Sequence, residues 1–416
     1  MHSALKIQPN QVLGITLVFL VLAFPISFVG EINALFDGTL KDTFTLFTSP
    51  VLKGYKDVGF VFLVLYLIAK TVIRGSVSRI KLYWLAVATT TILPVLNQPF
   101  QTYSLFGFRW VIPMLLTALM IDFVDRALIV KVGKAVIFMY ILHFATQLIE
   151  LVWMPPYFGN SSLNLPRVPG LFVIAGTGAL FTILSLFWAM YYSKKGILRS
   201  FVLWTAPASL LFISSGTGIV VGVFLYLLFA YEVVGSIGFA AVKASFRMLL
   251  LASVVIVPVI ALVFLNDLTG RDNYVEISGG SRLNIFLDEW ENFSLLSTRF
   301  GEATNTAVLA TMSGMVDDHG AIIVDSMVTS AMVNLGLPLA VLFLMLPLIS
   351  LASSKSELIP RLSLLFIGVA FSAVTIIVEI FPANLLCAVL LAYYSTSPRI
   401  APNRQATSLS SSQFVN

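Results

Sequence analysis

Apolar runs about twenty residues long recur along most of the chain, and only one long polar interval, Asn266 to Asp325, breaks the pattern. A backbone in hydrocarbon finds no water to bond. Each run must therefore satisfy its own N–H and C=O groups, as a helix does within one segment. Hydrophobic residues form 58% of the sequence and charged residues 11%, with a mean hydropathy of +0.95. A soluble chain of 416 residues needs far more charge to cover its surface. The class that remains is the helical membrane protein. The single Cys387 sits in an apolar segment, which excludes a disulfide framework and a thiolate metal cluster. The net charge of +5 is spread over short loops, so it bears on topology and not on nucleic acid, which is not expected as a partner.

Windows of about 19 residues place spans near 12–30, 57–73, 83–99, 106–124, 135–154, 170–193, 248–266, 326–350 and 361–381. Two shorter pieces, 200–213 and 217–234, flank the polar turn Ser214-Ser215-Gly216-Thr217-Gly218, and a last one, 382–397, follows Phe381-Pro382. The run Gln11 to Gly30 is too long for a signal-peptide core and reads as a retained span. With an even number of crossings, Lys6, the Arg74/Arg79/Lys81, Arg126/Lys131/Lys134 and Lys194/Lys195/Arg199 groups, Lys243, Arg247, Lys355, Arg361, Arg399 and Arg404 share one side. That is 16 of the 25 Lys and Arg residues. The opposite side holds seven: Lys41, Lys53, Lys56, Arg167, Arg271, Arg282 and Arg299. The positive-inside rule makes the richer side, with both termini, cytoplasmic.

The expected fold is thus all-α: a polytopic integral membrane protein with about twelve transmembrane helices and one large periplasmic loop containing short helices. Residues 1–400 form a single transmembrane domain, with the loop at 266–325, and the Ser-rich residues 401–416 form a disordered cytoplasmic tail. The expected location is a bacterial inner membrane, with membrane lipid as the constant partner.

The outer loop concentrates the candidates for chemistry. Leu283, Phe286, Leu287 and Trp290 recur at helical spacing, which predicts a short amphipathic helix on the membrane surface. Arg282 and Arg299 are candidates for binding a phosphate or pyrophosphate, because a guanidinium grips two oxygens at once. The competing reading pairs them with Asp288, Glu289, Glu291 or lipid phosphates. His319 has a pKa suited to proton transfer near neutrality. Asp325 stands where a span begins, as a base, a helix cap before Ser326, or both. A solvated loop histidine is the plainer reading of His319.

Within the spans, His143, Gln147 and Glu150 form a polar stripe at i, i+4 and i+7. Such groups face a cavity or a partner, because hydrocarbon does not solvate them. A substrate role for His143 and Glu150 therefore stands beside an interhelical hydrogen-bond network. Glu379 is a similar case and a candidate partner for an outer arginine. Arg167, between Pro166 and Pro169, and Arg109, beside Trp110, are basic residues at the outer margin, with Trp110 and Trp153 read as interface markers. No Walker A sequence, GxGxxG, HExxH or His/Cys cluster occurs, so neither cofactor nor metal is expected.

Four features in order, across roughly 160–350, resemble the O-antigen polymerase/ligase superfamily, and among its members the polymerases of the Wzy type. Arg167-x-x-Gly170-x-Phe172 heads a span. The Ser214–Gly218 turn joins two short helices. Arg282 and Gly301 lie in a large outer loop, and Asp325-Ser326 leads into Gly336-Leu337-Pro338. The resemblance implies an inverting, metal-independent glycosyltransferase. Its donor is an oligosaccharide on undecaprenyl pyrophosphate, its acceptor is a sugar hydroxyl of another lipid-linked unit, and a chain-length regulator protein is a further partner. By position, Arg167 and Arg282 would bind pyrophosphate. The ligase histidine falls on Asp325, which speaks against a ligase and leaves His319 as a second candidate base. The rival readings are a secondary transporter or lipid-linked oligosaccharide flippase using His143, Glu150 and Glu379, and a non-catalytic membrane subunit.

Overall fold

Every regular element among the described residues is a helix, either α or 3-10. The computed structural model describes residues 9–36, 54–75, 77–153, 168–172, 174–234, 274–312, 326–354 and 356–396, with a few single residues between these blocks. Five stretches are long and apolar enough to cross a membrane: Gln11–Phe28, Arg79–Asn97, Thr102–Met120, Arg126–Val152 and Gly216–Val234. Shorter apolar helices stand beside them at Ala175–Tyr191, Ile197–Ile213, Leu337–Ser353, Leu358–Ser372 and Ala383–Ser395. Tyr55–Arg74 has 20 residues but carries Lys56, Asp57, Lys70 and Arg74 toward its two ends.

The helices follow the apolar runs, with differences at the breakers. The run near 83–99 is helical to Thr90 and continues as a 3-10 turn, Leu93–Asn97, because Pro94 supplies no amide donor. The run 326–350 is two helices, Met327–Leu335 and Leu337–Ser353. They part at Gly336, whose φ of +83° belongs to glycine and whose would-be Cβ would lie 2.8 Å from the Leu295 carbonyl oxygen. The run 361–381 stops as a helix at Ser372, and a 3-10 turn, Ile377–Glu379, follows. Of the five-residue polar turn, only Ser214 and Ser215 lie outside helices, with Ser214 left-handed at φ +54°. The span expected at 248–266 lies outside the described residues apart from isolated positions, and the tail 401–416 lies outside them entirely.

Aromatic rings knit the centre of the bundle. Phe24 stacks on Phe172 at 4.4 Å between ring centroids and reaches Phe181 and Phe381 at 6.4 Å each. Trp188 donates from Nε1 to the Ile129 carbonyl at 3.1 Å, and Trp84 donates to Ser350 Oγ at 2.9 Å. Basic side chains take helix C-termini as partners, where unpaired carbonyls and the helix dipole favour a cation. Arg199 reaches Met190 O at 3.3 Å, and Arg361 Nη1 reaches Leu351 O at 2.9 Å. Arg74 donates to Asp122 O at 2.9 Å. Lys81 is fully buried, 3.2 Å from the Asp122 carboxylate and 2.8 Å from Thr71 Oγ1.

Candidate functional site

Residues 297–306, non-helical as far as Thr304 and then entering the helix Asn305–Met312, are inserted against the 102–120 helix, and their seat is built from single side chains. Ser297 Oγ accepts from Arg299 N at 2.9 Å and donates to Val333 O at 2.5 Å, which fixes the first turn. Phe300 is completely buried, and its ring occupies space that any Cβ on Gly107 would invade, at 2.4 Å. Gln98 clamps the Phe300 backbone from both sides, accepting its N–H at 2.8 Å and donating to its carbonyl at 3.1 Å. Gly301, at φ +96°, presses so close to the Tyr103 carbonyl that a Cβ would lie 1.8 Å from the oxygen. Only glycine fits there.

Asn334 completes the seat. Its Oδ1 accepts from Gly301 N at 2.8 Å and Ala303 N at 3.3 Å, while Nδ2 donates to Ala303 O at 2.9 Å and Ser330 O at 2.8 Å. One buried amide thus satisfies a stretch of backbone that no helix serves. Neither Gln98 nor Asn334 stood out in the sequence. The available signal was an uncharged amide two residues before Gly336 in an apolar run, the kind of group that needs a partner in hydrocarbon.

This seat presents two guanidiniums. Arg299 donates from Nη1 to Glu289 at 2.8 Å and from Nε to Glu302 at 3.1 Å, and its side chain stays 34% exposed. Pairing with Glu289 is the plainer of the two readings of Arg299, and the geometry contains it. Nη2 makes no hydrogen bond among the described residues. Arg109 donates to Asp57 at 2.7 Å and to Thr306 Oγ1 at 3.1 Å, with its side chain 38% exposed. Glu379 accepts from Trp110 Nε1 at 2.5 Å and from Thr306 N at 3.2 Å. Asp57, Arg109, Trp110, Thr306 and Glu379 therefore form one cluster, which Thr306 joins to the Arg299 segment. Trp110 is not an interface marker: it is 1% exposed and packs on Phe343, because Glu379 gives its N–H a partner inside the bundle. Arg282 lies half-buried on the helix Tyr274–Trp290. Arg167, His319 and Asp325 lie outside the described residues.

No protein-family model, curated protein or solved structure matches the chain.

The polar stripe forms a second cluster. His143 and Glu150 are 0% and 2% exposed on the helix Arg126–Trp153. Glu150 accepts from Gly170 N at 3.0 Å, and Gln147 donates to Val168 O at 3.2 Å and accepts from Ser209 Oγ at 2.7 Å. Thr182 Oγ1 lies 3.4 Å from His143 Nε2. Gly170, at φ +66°, leaves room for the imidazole, since a Cβ there would meet Nδ1 at 2.5 Å, and Phe172 packs edge-on to the ring at 5.1 Å. Two features that are separate in sequence, the stripe and the Gly170-x-Phe172 turn, are thus one construction. Its polar atoms are not all matched: His143 Nδ1 and Glu150 Oε1 are buried without a hydrogen-bond partner among the described residues. Among those residues no group of three His, Cys, Asp or Glu side chains is placed to hold a metal ion.

Proposed function

We propose that this protein is a polysaccharide polymerase of the membrane. It transfers a glycan from a polyprenyl-pyrophosphate carrier to a sugar hydroxyl of a second lipid-linked unit, at the outer face of a bacterial inner membrane. The reading takes about twelve crossings with both termini cytoplasmic and the 266–325 loop on that outer side, supported by the basic-residue asymmetry. The observation that carries the reading is the docked 297–306 segment, which holds Arg299 and meets Arg109 through Thr306 at the margin of an apolar bundle. A prenyl diphosphate has this shape in chemical terms, an apolar tail ending in concentrated negative charge. Guanidiniums oriented by carboxylates and still part-exposed are preorganised to receive that charge.

In this scheme the acceptor hydroxyl attacks the anomeric carbon while the bond to the pyrophosphate oxygen breaks, with inversion. Arg109 and Arg299, joined by Arg167 and Arg282, stabilise the leaving diphosphate. The acceptor proton passes to Asp325 or His319. No metal is required, since the cationic side chains carry that load.

The test uses purified protein in proteoliposomes supplied with a lipid-linked repeat unit, with products resolved by length. Arg109→Ala and Arg299→Ala should each cut polymer formation by about 100-fold or more, a loss of the size that follows removal of one group stabilising developing charge. Folding should survive, because part-exposed ion pairs contribute only about 0–1 kcal/mol. Wild-type ladders from both variants would refute the diphosphate role.

A transporter or flippase is the second reading, and one observation favours it. The unmatched His143 Nδ1 and Glu150 Oε1 are buried ionisable atoms of the kind a proton-coupled carrier uses. The same proteoliposomes separate the two: movement of the lipid-linked unit across the bilayer without chain growth would select the carrier.

A further inference from the structure

The outer helix Tyr274–Trp290 carries three faces in its second half, where a helix resting on a soluble protein has two. One face turns inward. Phe286 packs against Phe293 at 5.7 Å, Ile285 lies on the small cluster of Ala303, Val324 and Val333, and Glu289 holds Arg299. A second face, Asn284 and Asp288, is polar and exposed, and Glu291, exposed as well, follows in the turn after the helix. The third, Leu283, Leu287 and Trp290, falls at i, i+4 and i+7 about a third of a turn away. These side chains are 57%, 54% and 54% exposed, and the Trp290 ring also touches those of Phe286 and Phe293 with its inner edge, at 5.5 and 5.8 Å between centroids.

This apolar stripe is not isolated. Leu295 follows it, also exposed, and Ser294 accepts the backbone N–H of Leu337 at 3.0 Å, which brings the stripe to the head of the helix Leu337–Ser353. Along that helix Leu337, Val341, Met345 and Ile349 are exposed at four-residue spacing, the row an apolar helix turns to lipid. The Leu337–Ser294 bond thus sets the end of the loop helix's exposed row beside the start of the bundle helix's exposed row. Exposed carboxylates at Asp288 and Glu291 flank the row.

We propose that Leu283, Leu287 and Trp290 are seated among the acyl chains at the edge of the leaflet on this side. Residues 281–290 then form an interfacial helix whose partner is membrane lipid. Its inward face carries Glu289, so the depth of the helix in the leaflet fixes the height of Arg299 relative to the head groups. The lipid seat does not depend on the transferase reading, because it is measured without substrate.

The full-length protein is reconstituted into phosphatidylcholine vesicles whose acyl chains are brominated near the glycerol end. Emission from Trp290 is taken as the difference between wild type and Trp290→Phe. Brominated lipid should quench that component about twofold or more, and aqueous iodide should leave it nearly unchanged. Leu287→Trp in the wild-type chain adds an independent reporter with the same expectation, and decides the matter if Trp290→Phe does not fold. Asp288→Trp should give the reverse pattern. Quenching of the residue 290 or 287 reporter by iodide and not by brominated lipid overturns the proposal.

Discussion

Glu150 accepts the backbone N–H of Gly170 at 3.0 Å, and this bond ties the last turn of the helix Arg126–Trp153 to the turn that follows Arg167. What the contact requires is an oxygen acceptor, not a negative charge. Glu150→Gln should therefore keep the bond, fold as wild type and support chain growth. Glu150→Ala strands a buried amide and should cost about 1–3 kcal/mol. Thermal unfolding in detergent checks the stability, and the polymer ladder checks the function. Loss of activity in the Gln variant with normal stability would point to proton carriage and to the transporter reading.

Asn334 holds four backbone groups of the inserted segment and the helix beneath it. Asn334→Leu is close in size and removes all of these bonds. The expected loss is about 2–4 kcal/mol, from several buried groups left unmatched at roughly 1 kcal/mol each. Limited proteolysis in vesicles should show new cleavage within 297–304, and unchanged protection would show that the segment is held by packing alone.

Gly107→Ala places a methyl group inside the Phe300 ring's space, and Gly301→Ala adds a clash with the Tyr103 carbonyl to a left-handed φ. Overpacking of this kind costs about 1–3 kcal/mol, with left-handed strain adding a similar amount at residue 301. The Gly301 variant should be the less stable by thermal unfolding. Phe300→Leu combined with Gly107→Ala should recover part of the Gly107→Ala loss, since the branched side chain retreats from the new methyl group.

Lys81 is buried beside Asp122 at 3.2 Å. Lys81→Ala should destabilise by about 3–5 kcal/mol, because Asp122 loses its cation in a desolvated place. The double variant Lys81→Met, Asp122→Leu should restore most of that, since an apolar pair needs no solvation. A double variant as unstable as Lys81→Ala would show that the bonds from Lys81 to Thr71 and Leu119 matter more than the ion pair.

The helical class and the position of most helices are legible in the sequence because apolar run length maps directly onto hydrocarbon thickness. Helix ends are less legible, since Pro94 and Gly336 act through φ and missing donors and leave hydropathy unchanged. The His143–Gln147–Glu150 stripe is readable because three polar residues at helical spacing in an apolar run have few other uses. Its partner is not readable, as the Gly170 amide belongs to a turn whose docking is set by tertiary contacts. The same limit applies to the site. Arginines announce themselves by charge, but Asp57 with Arg109, and Gln98 with Phe300, are brought together from remote parts of the chain.

Gln98 and Phe300 lie 202 positions apart. Ribosomes make the chain from its N-terminus, so the Gln98 and Gly107 wall of the groove is made long before its occupant, and Asn334, which completes the seat, is made after it. The early helices must hold that groove open without Phe300, and the 297–306 segment must find it from the aqueous side after the helices up to Val234 are in place. A truncation ending shortly after Val234 should therefore insert normally and yet expose the empty groove, which makes synthesis of the chain beyond Val234 the step at which quality control would sort complete molecules from unfinished ones.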